Sequence, residues 1–100
     1  MIDVAKRHLA TIERILAQHV GDCEVRAFGS RGNGTAKKHS DLDLAIVGKS
    51  RISRRVKTLL REAFEESDLP FRVDVVDYSA ASDEFRAIID QKYEVIQKAR

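Results

Sequence analysis

The chain predicts a small α/β sandwich, a mixed sheet flanked by helices in the order α-β-β-α-β-α. Three observations predict it. Long segments carry apolar residues at helical spacing, short ones between them alternate in period two or are rich in β-branched residues, and no repeat or low-complexity stretch separates a second unit. One hundred residues can bury one hydrophobic core and not two, so a single domain over residues 1–100 is expected.

The first helix is expected from Asp3 to Val20, where Leu9, Ile12, Leu16 and Val20 form the inward stripe and Lys6, Arg7, Glu13 and Arg14 face solvent. Gly21 closes it. Cys23 to Phe28 alternates as a strand and runs into the glycine-rich stretch Gly29-Ser30-Arg31-Gly32-Asn33-Gly34. Ser40 to Val47 predicts a second strand, apolar on both faces in its far half and ended by Gly48. A second helix over Ile52 to Phe64 carries Ile52, Val56, Leu59, Leu60, Ala63 and Phe64 on one stripe, with Arg54, Arg55, Lys57 and Arg61 opposite. Ser67-Asp68-Leu69-Pro70 breaks it, and Phe71 to Asp77 reads as a third strand. Ser82 is a candidate cap for a third helix, with Asp83 and Glu84 in its first turn and Phe85, Ile88 and Ile89 as its core face. Tyr93 and Ile96 are expected to cover the end of that closing helix.

Composition narrows the function classes. A 43% hydrophobic and 34% charged chain is an ordinary globular one. A net charge of +2 is too small to mark a nucleic-acid binder, and the six aromatic residues form no stacking run. Nucleic acid is therefore not expected as a partner. Cys23 is the only cysteine, which rules out an internal disulfide. With no signal-like start and no run near the ~18 apolar residues of a span, a cytoplasmic protein without membrane contact is expected.

The chemistry concentrates in three places. Asp41 and Asp43, two apart on a strand, point their carboxylates to the same face. Their mutual repulsion and desolvation disfavour that arrangement unless cations neutralise it, and Mg²⁺ with oxygen ligands is the natural candidate. Asp74, between Val73 and Val75 in an apolar strand, would be costly as an unpaired ion; a strand beside Asp41 and Asp43 would bring it to the same site. Asp77 competes for that role, but three residues along it points the other way and reads as an acceptor of turn hydrogen bonds or a solvated residue. Gly29 and Ser30, at a strand end, offer backbone N–H groups and a hydroxyl to a phosphate. The spacing Gly29 to Gly34 is not a P-loop, because Thr35 stands where the lysine is needed. His8, His19 and His39 lack metal-ligand spacing, and Arg31, Lys37 and Lys38 beside the loop read as solvated.

Taken together, Phe28-Gly29-Ser30-Arg31-Gly32, Ser40-Asp41-Leu42-Asp43-Leu44 and Val73-Asp74-Val75-Val76-Asp77 resemble the signature of the polymerase-β-like nucleotidyltransferase superfamily, most of all its minimal MNT antitoxin branch. The resemblance covers nearly the whole chain. It implies the polymerase-β-like nucleotidyltransferase fold and ATP as substrate, held at Gly29 and Ser30. It also implies two Mg²⁺ ions on Asp41, Asp43 and Asp74, with Asp74 assisting deprotonation of the attacking hydroxyl. The implied partner is a helical HEPN toxin, whose tyrosine hydroxyl receives AMP. A homodimer or mixed oligomer is compatible with that role. Two alternatives stay open at this point: a catalytically silent antitoxin acting by contact, and a transferase with a small-molecule acceptor.

Overall fold

The structure, a computed structural model, describes residues 4–29 and 41–100. Helix α1 spans Lys6–Val20 behind an extended Ala5, and buries Ile12, Ile15, Leu16 and Val20 along one face. Strand β1 is Glu24–Phe28 and β2 is Leu42–Val47. Helix α2 spans Arg54–Glu65, started by the Ser53 side chain, which accepts from the Val56 N–H at 3.1 Å. Strand β3 is Val73–Asp77, followed by a short 3₁₀ turn at Tyr78–Ala80. Helix α3 spans Asp83–Gln91; Ser82 caps it by accepting from Phe85 N–H at 3.1 Å, and Asp83 and Glu84 occupy its first turn.

The sheet order is β3-β2-β1-β4, with β4 at Glu94–Gln97. β1 runs antiparallel to β2 and to β4, while β2 and β3 are parallel, as a connection through a crossover helix requires. Period-two alternation then sorts the side chains. Val25, Ala27, Leu42, Leu44, Ile46 and Val75 face α1 and α2, where they join Ile12, Leu16, Leu60 and Phe64 in the main core. On the other face Phe28, Ala45 and Ile89 form a smaller cluster with Val76, Tyr78 and Phe85, and the Phe28 and Phe85 rings meet edge to face at 5.9 Å. Among the described residues no helix is long and apolar enough to cross a membrane.

Three expectations need correction. Residues 94–97 do not extend the closing helix; they form β4, the partner of β1 on the side away from β2. The alternating Glu94-Val95-Ile96-Gln97 run, with Lys92 already extended at φ −158°, suits a strand, and pairing satisfies the free edge of β1. Ile88 is not core: it is 59% exposed, because α3 is only nine residues long and turns Phe85 and Ile89, one turn apart, toward the sheet. Leu59 likewise stands outward at 41% exposure, on the flank of the stripe that buries Leu60 and Phe64.

Candidate active site

Leu42 is drawn into the main core with no exposure, so alternation turns Asp43 to the α3 side of the sheet, and Asp41 precedes it just ahead of the strand, exposed. The parallel register pairs Asp43 directly with Asp74. Neighbouring strands lie about 4.8 Å apart, so two carboxylates of like charge sit side by side at the starts of β2 and β3. The apolar cluster under α3 begins one step along each strand, at Ala45 and Val76, and among the described residues does not extend to the carboxylate end of this face. Burial first, then the charges of Asp74 and Asp41, push the Asp43 carboxyl above its ordinary range.

Gly29 leaves β1 immediately after Phe28, whose register partner is Asp43. Its φ is +74°, and a Cβ built there would land on the Asp43 carboxylate oxygen. Both facts demand glycine: the left-handed conformation strains other residues, and only a bare backbone passes this close to the acid. The chain therefore brings its glycine turn against the carboxylates. Ser30, with Arg31, Lys37, Lys38 and His39, lies outside the described residues.

A family model described as the nucleotidyltransferase domain matches residues 9–99. The chain belongs to this family. This nucleotidyltransferase is 48% identical over 97 residues to a probable protein adenylyltransferase, MntA, of Haemophilus influenzae, across 97% of this chain and 85% of that protein. Its fold is shared with a chain of a toxin-antitoxin crystal structure with AMP-PNP, at a TM-score of 0.76 and 22% identity over 92% of this chain and 74% of that one. It is shared as well with a chain of a tri-AMPylated Shewanella oneidensis HEPN toxin in complex with MNT antitoxin, at 0.70 and 17% identity over 94% and 72%.

In the nucleotidyltransferase domain Asp77 stands apart from the three other aspartates. Its side chain falls on the opposite face, is 6% exposed, and accepts from the backbone N–H groups of Ile52 and Ser79, each at 3.1 Å. The turn bond expected for it is present, whereas solvent exposure is not. Asp77 ties the end of β3 to the segment entering α2.

Two features of the face were not visible in sequence. Arg72 approaches Asp74 with Nε at 3.4 Å from Oδ1, both side chains well exposed. Among the described residues no three His, Cys, Asp or Glu side chains are gathered closely enough to hold an ion. An exposed pair of this kind contributes only ~0–1 kcal/mol, so a divalent ion would displace it readily. Farther along the same face Arg26 lies over the Tyr93 ring at 4.5 Å and the Tyr78 ring at 5.3 Å, and bonds to Asp90 at 3.0 Å. Besides nearby Glu24, these partners are more than fifty residues away in sequence, which is why no local motif announced the cluster. This network clamps α3 and β4 onto β1.

Proposed function

We propose that this nucleotidyltransferase transfers AMP from ATP to a tyrosine hydroxyl of a HEPN-type helical toxin, acting as its antitoxin in the cytoplasm, with residues 1–100 as one catalytic unit. The observation that carries the reading is the direct pairing of Asp43 with Asp74 beside Gly29. The 48% identity to a probable protein adenylyltransferase supports a protein acceptor, and the fold neighbour from a toxin-antitoxin structure with AMP-PNP supports an adenine nucleotide as donor.

The donor set suits magnesium: three hard carboxylate oxygen donors, one of them raised by burial and then by its neighbours' charge. Asp41, Asp43 and Asp74 would hold two such ions, which when bound neutralise phosphate charge and favour departure of pyrophosphate. Gly29 and Ser30 hold the triphosphate through backbone N–H groups and a hydroxyl. Asp74 accepts the phenolic proton as the tyrosine oxygen attacks the α-phosphorus. A phosphorus–oxygen bond forms to tyrosine, the bond to the β-phosphate breaks, and pyrophosphate leaves. The bulky, charged adenylyl group then blocks the toxin's surface.

The test incubates the protein with a HEPN-type protein from the same organism, magnesium and α-labelled ATP. Label on the HEPN-type protein, absent with Asp43→Asn, is the expected result. A stable complex without label would replace transfer by neutralisation through contact, and label on a small molecule alone would reassign the acceptor.

A further inference from the structure

We propose that the acceptor tyrosine enters through a groove that wraps the open edge of β3, with Arg61, Leu69 and Phe71 as the residues that select it. This rests on the transfer reaction proposed above. The groove has a volume of about 560 Å³ and runs from α2 at Arg61 past Leu69 and Phe71 to Asp74. Val73 and Asp74 both line it, yet consecutive strand residues point to opposite faces. A single cavity touching both must pass around the edge of the strand, and β3 is the edge of the sheet among the described residues. The groove thus joins the helical layer to the carboxylate face.

Its chemistry selects between the two reactants. Arg61 and Arg72 are balanced by Glu65 and Asp74 along the walls, which suits a polyanionic triphosphate poorly. Leu69 and Phe71, both partly buried, supply an apolar floor. A floor of this kind ending at a carboxylate fits an aromatic ring with a hydroxyl at its tip. The nucleotide is then left to the Gly29 side of Asp43, and the phenol reaches Asp74 from the opposite direction, so the two substrates approach from different sides of the carboxylates. Arg61 is exposed and enters no ion pair among the described residues, which leaves it free to meet the segment that carries the tyrosine.

The experiment measures steady-state adenylyl transfer to the HEPN-type protein by Arg61→Trp, which fills the groove mouth. The control is Arg54→Trp, placed roughly 10 Å away along the same helix. The expected result is a KM for the acceptor protein raised about tenfold or more by Arg61→Trp, an unchanged KM for ATP, an unchanged melting temperature, and near-normal kinetics for Arg54→Trp. An acceptor KM like that of the unaltered protein overturns the proposal. Should the unaltered protein transfer no label at all, the transferase reading fails, and photo-cross-linking judges the groove separately. Benzoylphenylalanine in place of Arg61 captures a tyrosine-bearing segment of the HEPN-type protein if the groove receives it; capture only from position 54, or from neither, overturns it.

Discussion

Asp43 carries the tension between stability and chemistry. Its carboxyl is raised by burial and by the charges of Asp74 and Asp41, so the folded chain favours the neutral form and holds the ionised form at a cost. By linkage, the stability contributed by the protonated group is complete below the ordinary carboxyl range and is lost as pH rises through the raised folded value. Asp43→Asn is therefore expected to melt higher than the unaltered protein at pH 7.5 in EDTA, with the gap narrowing toward pH 4, while adenylyl transfer is abolished. A half-exposed carboxylate warrants a gain of no more than ~1 kcal/mol. Gly29→Ala should also remove activity, since its Cβ would occupy the space of the Asp43 carboxylate at a left-handed backbone position. Asp77→Ala separates the roles of the aspartates: it loses two backbone partners and should destabilise by about 2 kcal/mol in urea titration, with transfer per folded molecule retained. The Cys23 thiol, pushed up to about 11 by burial and then by Asp22, should react only slowly with a thiol reagent at pH 7.5. The alternation that turns Asp77 away from Asp74 could be read from residue spacing alone, whereas Asp41 lies just ahead of β2, beyond the reach of its alternation. Arg72 could not be read that way, because its meaning depends on which way the Asp74 side chain turns.

Elements were legible where periodicity and caps agreed. Ser82 accepts from the N–H three residues on, as its position before an amphipathic run implies; Ser53 does the same, although the expected helix began at Ile52 and placed Ser53 inside it. Ser53→Ala is expected to cost about 1 kcal/mol, read as a lower urea midpoint at constant slope. Legibility failed at the C-terminal end. Tyr93 and Ile96 extend the helical spacing of Phe85 and Ile89, but Glu94–Gln97 equally satisfies a short strand, and only the vacant side of β1 decides between them. Gln97 then anchors the strand, its Nε2 donating to the carbonyls of Val20 and Cys23, each at 2.9 Å. These long-range bonds close the sheet onto the α1–β1 turn, and no local pattern contains them.

At the scale of the molecule, the two faces of the sheet are unequal. α1 and α2 cover one face with the main core, whereas the cluster beneath α3 occupies only part of the other and, among the described residues, stops short of Asp43 and Asp74. The motifs named the aspartates, but their union depends on the parallel β2–β3 register, a tertiary fact that spacing along the chain does not contain. The most direct measurement is the intact mass of a HEPN-type protein co-expressed with this nucleotidyltransferase or with its Asp43→Asn variant. A mass increase of one or more adenylyl groups on tyrosine, present with the unaltered protein and absent with the variant, is predicted. An unmodified toxin in both cases, or equal modification in both, would contradict adenylylation by this site.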